Sequence, residues 1–215
     1  MSTISAKNAE VEYFPPSYDA DAEVQTVTYT WDNIAIGGMG FVTGIGIHPT
    51  EPGIVYVRTD VGGIYRWDSV ANRWIPLMDE FGESEEHHYG IESIALDPNN
   101  PDILYAATGY YTRETTSDIL KSTDRGQNWV PTELKTPAGT NVRMGGNEDW
   151  RWTGERLAVD PSNSNIIYFG SRLDGLYKSE NSANTWNKVT SFSATDLSEG
   201  GITFVLFDPQ SGHLS

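Results

Sequence analysis

The chain repeats itself. Ile45-Gly-Ile-His-Pro49 precedes Ile54-Val-Tyr-Val57, and Ile94-Ala-Leu-Asp-Pro98 precedes Ile103-Leu-Tyr-Ala106. Leu157-Ala-Val-Asp-Pro161 precedes Ile166-Ile-Tyr-Phe169, and a fourth opening stands at Phe204-Val-Leu-Phe-Asp-Pro209. His48 to Tyr56, Asp97 to Tyr105 and Asp160 to Tyr168 are each 8 residues apart, and the copies start 49, 63 and 48 residues from one another. Each complete copy closes on a tryptophan: Trp74, Trp129 and Trp186. Proline cannot lie inside a central strand, so each Asp-Pro or His-Pro marks a turn between two strands. A hairpin, a third strand and a turn into a fourth complete each unit. Four strands at this period predict an all-β fold, the blade of a β-propeller.

The second copy carries a sharper pattern. Ser122-Thr-Asp124-Arg-Gly126-Gln-Asn-Trp129 fits Ser-x-Asp-x-Gly-x-x-Trp, the Asp box. Its Asp is expected to bond the turn backbone, its Gly to take a positive φ and its Trp to plug the blade. The third copy keeps Ser179 and Trp186, with Asn181 for Asp and Ala183 for Gly. Asp124 and the three closing tryptophans are read as structural. Three complete copies and the start of a fourth fall short of the usual larger ring. Residues 1–28 are therefore expected to be an N-terminal extension, and 29–215 an incomplete ring. The stretch Tyr29 to Ile36 is a candidate closing outer strand, and the chain is expected to be the N-terminal portion of a longer protein.

Composition narrows the partners. Lys and Arg number 14 against 30 Asp and Glu, a net charge of −16. Nucleic acid and anionic membrane surfaces both require a basic face and are excluded as partners. No apolar run reaches the length of a membrane span, and Met1 to Tyr13 has no apolar signal core. With no Cys there is neither a disulfide framework nor thiol chemistry. His87-His88, after the acidic run Asp79 to Glu86, has no zinc-type spacing and is read as a solvated loop. No metal and no cofactor are expected.

Two places break the repeat. Arg58-Thr-Asp60-Val-Gly-Gly63 sets a carboxylate on a tight turn between the second and third strands of the first copy, and spacing alone leaves a structural and a catalytic role open for it. The insertion Gly145-Gly-Asn-Glu-Asp-Trp-Arg-Trp152 belongs to the 63-residue step, and non-repeated loops on a repeat scaffold tend to carry function. Sugar rings stack on aromatic faces through their apolar C–H faces. Trp150 and Trp152, with Tyr110 and Tyr111 of the second hairpin, are candidate sugar-binding residues, with core packing as the competing reading. Glu155 is assigned a structural ion pair with Arg156 or Arg172.

Several of these segments together resemble glycoside hydrolase family seventy-four. They are Trp31, Asn33, Ile36-Gly-Gly38, Tyr56-Val-Arg-Thr-Asp-Val-Gly-Gly63, Tyr65-Arg-Trp67, Gly90-Ile-Glu-Ser-Ile-Ala-Leu-Asp-Pro98, Gly154-Glu-Arg-Leu-Ala-Val-Asp-Pro161, Gly170-Ser-Arg172 and Gly175-Leu176. The resemblance implies two seven-bladed propellers with a cleft between them, xyloglucan as substrate, and inverting hydrolysis by two Asp residues. It implies that Asp60 is the general base, that the acid lies in a C-terminal propeller missing from this chain, and that the chain alone lacks normal activity. It also implies a secreted protein. Endo and exo action stay open. The alternatives are a sialidase-like propeller, for which no arginine triad with a Tyr nucleophile is found, and a non-catalytic Asp-box binding module like sortilin-type receptors or photosystem assembly factors.

Overall fold

The structure is a computed structural model that describes residues 8–13, 25–30, 35–114, 116–192 and 200–208. The chain divides into two compact units, residues 1–35 and 36–215. In the first, β1 (Asn8–Tyr13) and β2 (Gln25–Thr30) pair antiparallel, Asn8 opposite Thr30. Tyr29 and Thr30 are thus committed to that hairpin rather than to a blade, and 31–34 lie outside the described residues.

The second unit holds three four-stranded antiparallel sheets in simple meander order. The first blade is β3 (Val42–Ile47), β4 (Val55–Thr59), β5 (Ile64–Asp68) and β6 (Arg73–Pro76). The second is β7 (Ile91–Leu96), β8 (Leu104–Thr108), β9 (Asp118–Ser122) and β10 (Val130–Pro131). The third is β11 (Leu157–Asp160), β12 (Asn163–Gly170), β13 (Leu176–Ser179) and β14 (Asn187–Lys188). Strand β7 packs on both β3 and β11, so the first strand of each blade is the innermost. The blade architecture read from the repeat is what the structure shows.

The repeated residues explain how blades meet. His48 Nε2–H donates to the Asp97 carbonyl at 2.9 Å, and Ser164 Oγ donates to the Asp97 carboxylate at 2.7 Å. One position of the repeat therefore ties the first blade to the second, and the second to the third. Between the first two blades lie Tyr56, Ile64, Met78, Ile91, Leu104 and Leu120. Between the second and third lie Tyr105, Ile119, Leu157, Ile167, Phe169 and Tyr177. Burying each such side chain contributes roughly 1.5–3 kcal/mol, so these two seams carry most of the stability.

The Asp box folds as expected. Asp124 Oδ1 accepts from Ser122 Oγ at 2.8 Å and from the Asn128 N–H at 2.9 Å. Gly126 has φ 85°, and Trp129 Nε1 donates to the Leu77 carbonyl at 2.9 Å. Trp129 is thus an inter-blade plug, packed on the preceding blade. Trp186 repeats this, donating to Thr132 Oγ1 at 3.1 Å, and Ala183 holds φ 66° where the pattern has Gly.

Three expectations need correction. Residues 203–208 form no strand: the Val205 N–H donates to the Glu155 carbonyl, and a strand needs a ladder of such bonds. The dihistidine is not a solvated loop. It ends a short 3-10 helix, Glu83–Tyr89, and His88 is 8% exposed, its Nδ1 2.8 Å from Thr108 Oγ1. Glu155 pairs with neither Arg156 nor Arg172. It contacts Arg58 Nε at 2.7 Å, while Glu92 holds both of the expected arginines.

Candidate active site

The turn carrying Asp60 is shaped by its neighbours in sequence. Thr59 Oγ1 accepts from the Gly62 N–H at 2.8 Å and donates to the Gly63 carbonyl at 2.9 Å. Gly63 has φ 78°, and a Cβ at Gly62 would lie 1.9 Å from the Met39 carbonyl oxygen. Neither position accepts a side chain, so Gly62-Gly63 is a steric requirement of the bend. Arg58, one residue before Thr59, is buried and donates to Glu155, Thr43 Oγ1 and the Arg151 and Thr153 carbonyls.

Asp60 sits at the end of the first blade, 7% exposed. Its Oδ1 accepts the Phe41 N–H at 2.7 Å, and its own N–H donates to the Phe41 carbonyl at 3.2 Å. That pair anchors the turn to the entry of the innermost strand β3. Its Oδ2 accepts Arg151 Nε at 3.2 Å. A carboxylate has about four lone-pair sites, and these two hydrogen bonds take one on each oxygen.

Arg151 comes from the non-repeated insertion. Trp150 and Trp152 flank it, 41% and 54% exposed, with ring centroids 6.4 Å apart. Two large aromatics left open beside a nearly buried carboxylate is an arrangement that core packing does not require. Trp150 lines a cleft of about 510 Å³ with Thr112, Glu148, Asp149, Arg172, Leu173 and Gly200. A larger hollow of about 710 Å³ lies at the outer strands of the second and third blades, around Lys121, Thr132, Lys135 and Trp186. It holds none of the residues predicted from sequence, and its size alone does not make it the site.

Tyr110 and Tyr111 are attached to the same insertion from its other side. The Asn147 N–H donates to the Tyr110 carbonyl at 3.0 Å, and Asn147 Nδ2 donates to Tyr111 Oη at 2.8 Å. Arg113 stacks on the Tyr111 ring at 4.0 Å. Burial pushes the Tyr110 hydroxyl above its ordinary pKa, with Glu86 adding to the rise. Both tyrosines are half-buried, whereas the tryptophans are exposed.

Beneath the loop lies a buried ionic cluster. Glu92 stands at a β-bulge between Ile91 and Ser93, and a bulge re-aims the extra side chain. It contacts Arg156 at 2.6 Å and Arg172 at 2.8 Å. Burial pulls the Arg156 guanidinium below its ordinary pKa, against the pull of Glu92. Arg172 Nη2 donates to the Gly145 carbonyl, and Glu92 accepts the Gly145 N–H. These charges fix the base of the insertion. Among the described residues no cluster of three or more His, Asp or Glu is arranged to hold a metal ion.

No family model matches the chain. The xyloglucanase Xgh74A of Acetivibrio thermocellus is 43% identical over 196 residues, which cover 89% of this chain and 22% of that protein. The solved GH74 enzyme of Niastella koreensis is 44% identical with a TM-score of 0.71, over 83% of this chain and 26% of that one. The solved GH74 xyloglucanase of Xanthomonas campestris is 40% identical with a TM-score of 0.73, over 85% and 27%. The chain belongs to glycoside hydrolase family seventy-four. It spans about a quarter or less of the length of the relatives it matches, in their N-terminal part.

Proposed function

We propose that these blades belong to a glycoside hydrolase that cleaves β-1,4-glucosidic bonds of xyloglucan with inversion, and that Asp60 is its general base. The observation that carries this reading is the link from Asp60 through Arg151 to the exposed Trp152, with the exposed Trp150 beside it. Such a link sets a carboxylate beside surfaces suited to sugar rings.

In this reading a water molecule is held by a free lone pair of the Asp60 carboxylate. Asp60 takes a proton from that water as its oxygen attacks the anomeric carbon. The glycosidic C–O bond breaks, and the leaving oxygen takes a proton from a carboxylic acid outside this chain, in a second propeller. Inverting enzymes hold the two carboxyl groups about 6.5–9.5 Å apart to admit the water. Trp150 and Trp152 stack glucosyl or xylosyl rings, and Tyr110 and Tyr111 extend the surface. Xyloglucan is a wall polymer too large to enter a cell, so the enzyme acts outside it.

The test is hydrolysis of xyloglucan by the intact enzyme bearing this sequence, followed by proton NMR. The reading requires new reducing ends that appear first as the α-anomer. Binding of xyloglucan without turnover would instead make the propeller a recognition module.

A further inference from the structure

Resting on the assignment of Asp60 as base, we infer that Arg151 is the positioning residue that orients the Asp60 carboxylate and couples it to the sugar-binding loop. Arg151 is held on several sides. Nε donates to Asp60 Oδ2 at 3.2 Å and Nη1 donates to the Glu148 carbonyl at 3.1 Å. The guanidinium lies 5.5 Å from the Trp152 ring centroid and 6.0 Å from that of Phe41. Phe41 is also the residue whose N–H holds the other carboxylate oxygen. Phe41 and Arg151 thus clamp the carboxylate from both oxygens while contacting each other.

Among the described residues Arg151 is the one cation in ion-pair contact with Asp60. The contact uses Nε alone rather than a two-toothed fork, so it takes one lone pair and spares the rest. The side chain is a quarter exposed, and its backbone carbonyl is locked by Arg58. Its sequence neighbours are the two exposed tryptophans, and its guanidinium touches both Trp152 and the carboxylate, so Arg151 bridges the sugar-binding loop and Asp60. A sugar on Trp152 also removes solvent from the Arg151–Trp152 face, and a cation–π contact strengthens when desolvated.

A residue that only packs the loop and one that orients the base differ in what they change. Loss of orientation lowers kcat with KM little altered, since the interaction matters at the chemical step. Misplacement of a reacting group costs up to about a hundredfold. The experiment is steady-state hydrolysis of xyloglucan by the intact enzyme carrying Arg151→Gln, Arg151→Lys, Asp60→Asn or both Arg151→Gln and Asp60→Asn. Arg151→Gln is expected to lower kcat about tenfold or more and to change KM less than twofold. Arg151→Lys, which keeps the cation, is expected to recover part of kcat. In the Asp60→Asn background Arg151→Gln is expected to cost nothing further. A folded Arg151→Gln enzyme with unchanged kcat overturns the inference while leaving Asp60 as base. An active Asp60→Asn enzyme overturns the underlying assignment instead. Should Arg151→Gln fail to fold, Arg151→Lys decides alone: wild-type kcat overturns the inference, and a reduced kcat at unchanged KM supports it.

Discussion

Arg58 and Glu155, 97 residues apart in sequence, meet at 2.7 Å between the first blade and the loop entering the third. Arg58 is 1% exposed, and Glu155 also accepts from Ser93 Oγ at 2.6 Å and from the Ile94 N–H at 2.7 Å. One carboxylate therefore joins all three blades. Glu155 is 26% exposed and Arg58 keeps its other acceptors, so losing the pair costs about 1–3 kcal/mol. Glu155→Ala should lower stability on that scale. It should also lower kcat, because Arg58 holds the Arg151 and Thr153 carbonyls. Thermal unfolding beside xyloglucan kinetics checks both effects.

The Asp box should behave as a folding device and nothing more. Asp124 Oδ2 accepts from Asn128 Nδ2 at 2.7 Å, so Asp124→Asn sets two NH₂ groups against each other. The third blade shows the alternative, Asn181 Nδ2 donating to Thr185 Oγ1 at 2.8 Å. Asp124→Asn is expected to lower Tm by the loss of about 1 kcal/mol, and Asn128→Thr added to it to restore most of that. Turnover of the folded enzyme should not change. Gly126→Ala should be worse, because φ is 85° and a Cβ would lie 2.6 Å from Leu77 Cδ1. Calorimetry of the three variants beside the parent orders them.

Two titrating groups pull stability in opposite directions. Burial, with a smaller push from His87, lowers the His88 pKa from 6.5 to about 4. The unfolded state therefore binds more protons between those values, and His88 makes stability fall as pH drops from 6.5 to 4. Burial raises the Asp118 pKa from 3.8 to about 6, so its contribution is present below 3.8 and lost as pH rises through 6. Asp118→Asn is expected to be more stable than the parent at pH 7 and to lose stability more steeply on acidification. His88→Gln should flatten the decline instead. Urea midpoints at pH 7, 5.5 and 4 measure both.

The aromatic residues should separate into two groups. Trp152 is 54% exposed, so Trp152→Ala is expected to raise KM for xyloglucan about tenfold, with Tm little changed. Tyr111→Ala removes the acceptor of Asn147 Nδ2 and the ring beneath Arg113, and should lower Tm. KM and Tm measured on each variant test the division.

The blades were legible because their spacing is regular: a turn proline, a buried tyrosine and a plug tryptophan recur at fixed offsets. The turn at Asp60 was legible because only glycine fits at positions 62 and 63. What escaped the sequence depends on how blades stack. Nothing local marks Arg58 as the partner of Glu155, or Arg151 as the partner of Asp60, since 97 and 91 residues separate them. His88 was misread because its acidic neighbours suggested solvent, while Thr108 and Phe81 of the fold receive its ring. Residues 203–208 match the repeat in sequence yet make no strand, because pattern supplies the side chains but not a ladder partner.

The central claim is that Asp60 activates water. General base catalysis contributes roughly 10²–10⁴-fold. An amide at this position still accepts the Phe41 N–H and so keeps the turn. The direct test is kcat of Asp60→Asn on xyloglucan in the intact enzyme, with folding verified by circular dichroism. The account predicts a fall of at least about a hundredfold with xyloglucan binding little changed. A folded variant with near-normal kcat would contradict it.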